Sequence, residues 1–183
     1  MQTSKNEELD MTHRLAGRGA ATFAALCFAT LAGAAAPSSR VTVQWTDPHA
    51  FSDTRDNPGI RQMRPEEWLA LLATHLERRA ERVLPAGERL DVTFTDVDRA
   101  GRVEPWRGPE WNDVRIVKDI YPPRIDLRFT VTAADGRVIA EGERKLRDSA
   151  FLMRSTPDDS DPLRFEKRLL DDWLRKEFAP ARH

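Results

Sequence analysis

Cysteine, histidine and long apolar runs are scarce in this chain of 183 residues. Its single cysteine, Cys27, lies in an N-terminal stretch that we expect to be removed. The mature chain would then have no internal disulfide, no thiol nucleophile and no thiolate metal site. The 29 basic and 30 acidic residues nearly cancel and are interspersed, so we do not expect nucleic acid as a partner.

The N-terminal stretch has the order of a secretory signal. Arg14 and Arg18 precede an alanine-rich apolar run over residues 19–36, which ends in small residues. A basic region, a short apolar region and a small-residue end are typical of export with cleavage. We predict cleavage after Ala34, with Ala36 as the alternative. A membrane anchor is the competing interpretation, but the run is short and weakly apolar for a spanning helix.

This interpretation divides the chain into two segments. Residues 1–34 are predicted to be a signal peptide, and residues 35–183 a single domain that works outside the cytoplasm. We expect no transmembrane segment after signal removal, because no other segment of the sequence is long and apolar enough. The acidic leader before Met11 is unusual for a signal, so translation from Met1 or from Met11 stays open.

Apolar periodicity predicts four strands and two helices in the remaining chain. Alternation over 41–45, 90–94 and 125–131 indicates strands, the last followed by a partner strand after Asp135–Gly136. A period of about 3.6 predicts a helix from Pro65 to about residue 84. A second helix is predicted to begin with Asp161 as N-cap, followed by Pro162.

The hairpin around Asp135–Gly136 allows a register to be predicted. A two-residue turn there places Arg128 opposite Glu143 and Asp126 opposite Lys145, two pairs of opposite charge. The same register places Arg144 opposite Leu127 on the inner face, where it must extend to the sheet edge.

These elements predict an α+β fold. We expect a mainly antiparallel sheet of about four strands with two amphipathic helices on one face. The order is β-α-β-(long loop)-β-β-α, and the helix between the first two strands favours a parallel pair there.

The long loop over residues 98–123 is the strongest candidate site. It is rich in proline and glycine, and a connection of this length in a compact domain is usually functional or disordered. We predict binding residues in it at Trp106, Trp111, Arg115, Lys118 and Tyr121. Aromatic rings with interleaved cations suit recognition of an envelope protein, a glycan or an anionic lipid surface. The alternative is that the loop folds back and the tryptophan rings cap the core.

An alternative function is a metal-dependent hydrolase of the cell envelope. His49 lies near Asp47, Asp53 and Asp56, which are oxygen and imidazole ligands of the kind that hold divalent ions. Their spacing matches no known loop template, and aspartates are common in turns for local reasons. We therefore predict no metal, no cofactor and no catalytic residue, and favour a non-enzymatic binding or interaction module.

Other polar residues have structural interpretations. Asp158, Asp159 and Asp161 precede the last helix, where capping explains them. Asp171 and Asp172 are adjacent on that helix and point about 100° apart, so they do not form a tight carboxylate pair. His75 lies beside an apolar stripe and is interpreted as a partly buried histidine with a partner.

Three segments resemble a bacterial family. The segment VKDIYPPRIDLRFTVTAADGRVIAEGERKLRD over 117–148, the tail LRFEKRLLDDWLRKEF over 163–178 and the opening VTVQWTDPHAFSD from Val41 are similar to domain-of-unknown-function family 3016. The resemblance implies an exported protein of Gram-negative bacteria and hence the periplasm. It implies no activity and assigns no functional residue.

Overall fold

The computed structural model describes residues 39–57, 63–154 and 160–178. The predicted signal peptide, Asp158 and Asp159 lie outside these residues. The described part has four strands: β1 Val41–Trp45, β2 Arg89–Asp98, β3 Arg124–Thr132 and β4 Val138–Arg147. It has three α-helices: α1 Ser52–Asp56, α2 Pro65–Val83 and α3 Arg164–Glu177. Four short 3-10 turns complete it, at Pro48–Ala50, Pro105–Arg107, Pro109–Trp111 and Phe151–Arg154.

The α+β class and the four strands are confirmed, but the sheet is mixed. Its strand order is β1-β2-β3-β4, with β1 parallel to β2 and the other two pairs antiparallel. The parallel pair arises because α2 returns the chain to the end of the sheet at which β1 begins.

The predicted order of elements is wrong at one place, because α1 lies in a segment interpreted as loop. The order within the described residues is β-α-α-β-(loop)-β-β-α. Five residues are too few to show a helical period, and this short helix depends on tertiary contacts. Phe51 before it is fully buried, and the Ser52 N–H and hydroxyl both donate to Asp96, at 2.6 and 2.7 Å.

The hairpin register is confirmed, although the turn is longer than predicted. Arg128 lies opposite Glu143, and Asp126 lies opposite Lys145. The Ala133 N–H donates to the Arg137 carbonyl at 2.9 Å, which leaves residues 134–136 as a three-residue turn. Gly136 has φ of +83°, the conformation that such turns require. A register shift next to Val131 then restores the predicted pairing.

The larger of two apolar clusters among the described residues joins the helices to one side of the sheet. Its members from α2 are Trp68, Leu69, Leu72, Leu76 and Ala80; from the sheet Val41, Leu90, Val92, Phe94, Val97, Ile125, Leu127, Phe129 and Val131; and from α3 Leu169, Leu170, Trp173 and Leu174. The apolar sides of α2 and α3 are thus buried, except that Val83 at the end of α2 is exposed and Phe178 directly after α3 is only partly buried. At the edge of this core, the partly exposed Arg144 stacks on Phe129 at 4.8 Å and donates to Glu177 at 2.7 Å, which satisfies its charge.

The last helix begins later than predicted. Leu163, not Asp161, is the N-cap of α3. The Asp161 carboxylate still accepts from the Leu163 N–H at 2.8 Å, so it stabilises the turn before the helix instead of the helix itself. Within the residues that the structure describes, no helix has the length and apolar character needed to cross a membrane.

Candidate functional site

The 98–123 loop is pinned at its base by backbone hydrogen bonds. The Arg102 N–H donates to the Ile116 carbonyl at 3.0 Å, and the Ile116 N–H returns a bond to the Arg102 carbonyl at 2.8 Å. Gly101 allows this close approach, since a Cβ there would lie 2.8 Å from the Ile116 oxygen and the residue has φ of +87°. The loop therefore has a defined conformation at its base.

Glu104 organises the middle of the loop. Its buried carboxylate accepts from Lys118 Nζ at 2.5 Å, from Arg107 Nε at 2.5 Å and from the Tyr121 hydroxyl at 3.2 Å. These bonds, that from Lys118 above all, lower the pKa of Glu104 from 4.5 to about 2. Two of the predicted binding residues, Lys118 and Tyr121, are thus held by an internal carboxylate.

Asp53 on α1 holds the end of β2 and the far side of the loop. The buried carboxylate accepts from the Arg99 N–H at 3.1 Å, from Arg99 Nε at 3.0 Å and from Arg115 Nη2 at 2.8 Å. Arg115 also donates to the Gly101 carbonyl at 2.8 Å. Burial lowers the pKa of the Arg115 guanidinium, and the Asp53 charge opposes this shift. Arg115 is therefore mostly buried and bound internally.

Asn57 at the end of α1 connects the same elements by neutral hydrogen bonds. Its side-chain amide donates to the Asp53 carbonyl at 3.0 Å, and its amide oxygen accepts from the Val103 N–H at 2.9 Å. The loop is consequently attached to α1 by both charged and uncharged groups.

Glu166 on α3 attaches the start of the loop to a second, small apolar cluster of Ala100, Phe151 and Phe165. Its Oε1 accepts from the Ala100 N–H at 2.7 Å, whereas Oε2 is buried with no hydrogen-bond partner among the described residues. Burial raises the pKa of Glu166 above its ordinary value, because the charged form is poorly solvated there.

The two loop tryptophans lie at the surface. Trp106 is 73% exposed and Trp111 is 36% exposed, so neither ring caps the core. Trp111 stacks against Arg107, with 5.5 Å between the guanidinium carbon and the ring centroid. Trp106 has no ring contact of this kind among the described residues, and its indole faces water.

Trp106 borders an open cleft of about 540 Å³, which we call the Trp106 cleft. It is lined by Asp56, Arg102, Val103, Pro105, Trp106, Asn112 and Tyr121. Of the five predicted binding residues, the fold brings Trp106 and Tyr121 to this cleft. Trp111, Arg115 and Lys118 are not among its lining residues.

The residues proposed for metal-dependent chemistry have separate partners. Asp47 accepts from the His49 N–H at 2.9 Å, and His49 Nε2 lies 3.5 Å from Glu66. Asp53 holds two arginines, and Asp56 pairs with Arg102 at 2.8 Å. Among the described residues, no group of three or more potential ligands is placed to hold a metal ion. The hydrolase alternative remains an untested prediction.

The helix carboxylates and His75 likewise have local partners. Asp171 accepts from Arg79 at 3.0 Å and lies 2.9 Å from the His75 ring, which bears out the structural interpretation of this histidine. Asp172 pairs with Arg154 at 2.7 Å on another side of α3.

Sequence reasoning did not assign the role of holding the loop to any of the four buried carboxylates, and it considered Asp53 only as a metal ligand. These are Asp53, Asp98, Glu104 and Glu166. A local signal exists for two of them, because Glu104 and Arg107 are three residues apart, and Asp98 and Arg102 are four apart. Asp53 and Glu166 have no such signal, since their partners lie in remote segments.

One comparison with known proteins found a match. A family model described as "Protein of unknown function (DUF3016)" matches residues 39–176. This span runs from just before β1 into the last turn of α3, so it includes the whole sheet and the 98–123 loop. A search of curated proteins found no match.

Proposed function

The chain belongs to DUF3016, a family of proteins of unknown function, and we propose its function from the site alone. We propose that it is a non-enzymatic periplasmic binding module, and that its ligand is a glycan held in the Trp106 cleft. The observation that carries this proposal is an indole, 73% exposed, on a loop that buried ion pairs hold in place.

The hydrogen bonds that hold the loop near Trp106 favour ligand binding at this residue. Exposed tryptophan is costly to leave in water, and tryptophan is enriched at the centres of binding sites. A loop fixed before binding loses less conformational entropy when its ligand arrives. Glu104 lies two residues before Trp106 and receives three hydrogen bonds from within the loop. The indole is therefore presented by a backbone that is already ordered.

The lining of the cleft suits a sugar ring. Trp106 and Tyr121 offer aromatic faces, on which the apolar C–H face of a sugar packs well. Asn112, Asp56 and Arg102 supply donors and acceptors at the edge for hydroxyl groups. Asp56 and Arg102 pair with each other at 2.8 Å, so the cleft has little net charge to attract an anionic lipid surface.

Two tryptophan variants of the same loop test this proposal. Trp106→Ala removes the exposed indole that lines the cleft, and Trp111→Ala makes the same change in the same loop outside the lining. We expect wild type and Trp111→Ala to bind purified envelope polysaccharides on an array. Trp106→Ala is expected to lose at least about tenfold in affinity, since contact tryptophans commonly contribute that much. Its melting temperature is expected to stay at the wild-type value.

Several outcomes would overturn the glycan proposal. One is the absence of polysaccharide binding by the wild-type protein, and another is an equal loss in the two variants. Crosslinking in living cells and sedimentation with anionic phospholipid vesicles cover the other ligand classes. Capture of a protein, or vesicle binding, that depends on Trp106 would replace the glycan. N-terminal sequencing of the protein from a periplasmic fraction checks the location, with a start after Ala34 expected.

A further inference from the structure

A row of charged residues crosses one end of the sheet, where β2 ends, β3 begins and β4 ends. Across β2, β3 and β4, Asp98 lies opposite Arg124, and Arg124 lies opposite Arg147. Like charges directly opposite each other on neighbouring strands are destabilising. Arg124 already donates to Asp98 Oδ2, at 2.5 Å from Nη2. Arg147 has no ion-pair partner among the residues that the structure describes.

This row forms one wall of a second cleft, of about 260 Å³, which we call the arginine cleft. Its lining residues are Asp98, Arg99, Arg102, Ile120, Tyr121, Pro122, Arg124 and Arg147. Four guanidinium groups thus line a cleft with a single carboxylate. Arg99 and Arg102 pair with Asp53 and Asp56 outside the lining, whereas Arg147 has no ion pair with any residue that the structure describes.

Asp98 supplies a second, independent feature. The residue is 4% exposed, and both of its arginine partners bind the same oxygen, Oδ2. The other oxygen, Oδ1, is buried and has no hydrogen-bond partner among the described residues. A buried acceptor without a donor costs free energy, which a ligand with a suitable O–H group would recover.

We infer that the arginine cleft binds a phosphate group that retains a proton, as in inorganic phosphate or the monoanion of a phosphomonoester. The anionic oxygens of such a group accept from guanidinium donors, whose planar fork suits them. Its P–OH group donates to Asp98 Oδ1, which becomes reachable from the cleft when the half-exposed Arg124 guanidinium turns from Asp98 to the phosphate. Sulfate has anionic oxygens but no proton near neutral pH, so it satisfies the arginines and not the aspartate.

This site goes beyond the proposed glycan binding and does not depend on it. The two clefts share Arg102 and Tyr121, but Trp106 lines only the larger one. Trp106→Ala is therefore expected to keep phosphate binding even if it loses a glycan. The two proposals consequently fail separately.

Two arginine variants test the inference. Arg147→Gln removes the guanidinium that has no ion-pair partner among the described residues. Arg137→Gln makes the same change directly before β4, at the opposite end of this ten-residue strand and roughly 30 Å away. Inorganic phosphate is titrated into each protein and followed by amide chemical shifts in NMR spectra. We expect saturable shifts at residues of the arginine cleft in wild type and in Arg137→Gln. Affinity is expected to fall about tenfold in Arg147→Gln, because one charge-assisted hydrogen bond is lost.

Two further arms identify the ligand group and its source. Sulfate is expected to bind about tenfold more weakly than phosphate, since it lacks the donor for Asp98. Sedimentation with vesicles of phosphatidic acid, and with vesicles of the phosphodiester lipid phosphatidylglycerol, distinguishes a lipid headgroup from free phosphate. Absence of saturable phosphate binding, equal affinities of the two arginine variants, or equal binding of sulfate and phosphate would each overturn the inference.

Discussion

The layer between the helices and the sheet and the underside of the 98–123 loop are both buried, but different interactions hold them. Leucine, valine and aromatic side chains fill the first region. The second region is held mainly by buried carboxylates: Asp53 and Glu104 each accept three hydrogen bonds, and Glu166 accepts one from the Ala100 N–H. Apolar packing tolerates small adjustments, whereas a buried ion pair depends on both partners being present. The loop is therefore precisely positioned but vulnerable to single changes of charge.

The largest effect is expected from Asp53→Ala. This change leaves the side chains of Arg99 and Arg115, which are only 11% and 14% exposed, without their shared carboxylate. Removing one partner of a buried pair costs about 3–5 kcal/mol. Asp47→Ala is the matched control, because Asp47 is exposed and only caps a short turn, a role that contributes about 1 kcal/mol. Urea unfolding of both variants measures the difference, and equal costs would remove the distinction between the two regions.

A core substitution sharpens the comparison. Leu76 is fully buried between α2 and the sheet, and Leu76→Ala is expected to cost about 3 kcal/mol through lost burial and a cavity. Hydrogen exchange distinguishes this loss from that of Asp53→Ala. The core variant is expected to exchange faster throughout the sheet. Asp53→Ala is expected to increase hydrogen exchange first at the Arg102 and Ile116 amides. The same pattern of exchange in both variants would contradict the view that different interactions stabilise the two regions.

Acid is expected to act on the loop through Glu104, with a smaller effect. The folded pKa of Glu104 is about 2, against an ordinary value of 4.5. Its contribution to stability is therefore complete above pH 4.5 and is lost as the pH falls towards 2. We expect the free energy of unfolding of wild type to decline more steeply across this interval than that of Glu104→Gln. Parallel curves for the two proteins would show that Glu104 does not bind its partners as described.

Glu166 is expected to change the stability with pH in the direction opposite to that of Glu104. Its pKa is raised by burial, so the folded protein holds this proton more tightly than the unfolded chain does. The residue therefore reduces stability as the pH rises above its ordinary value of 4.5. Glu166→Gln keeps an oxygen for the Ala100 N–H and removes this pH dependence. It is expected to match wild type well below that pH and to be more stable than wild type near neutrality.

The register of the hairpin could be predicted from residues that lie close together along the chain. Alternation and the Asp135–Gly136 signal predicted every cross-strand pair that was named, including Leu127 opposite Arg144. A strand of alternating residues has one register that keeps its apolar face inward, so the prediction had little freedom. The turn length was wrong, because a compensating register shift beside Val131 leaves the pairing unchanged.

The roles of the charged residues in the 98–123 loop could not be predicted from neighbouring residues. Trp106 and Tyr121 were predicted to bind and do line one cleft, while Arg115 and Lys118 were given the same role and instead bind internal carboxylates. An arginine or lysine in a polar loop has the same sequence signature in both situations. Only the position of Asp53 and Glu104 in the folded chain distinguishes a cation that faces solvent from one that braces the loop.

The sequence by itself determined the class of the fold, the faces of α2 and α3, the hairpin register and the family. These features depend on periodicity and on neighbours close along the chain. The tertiary structure alone decided that Asp53 and Glu166 are buried, because their partners are remote: Asp53 and Arg115 are 62 residues apart, and Ala100 and Glu166 are 66 apart. The free energy of such a group depends on its surroundings after packing, and no local pattern encodes those surroundings.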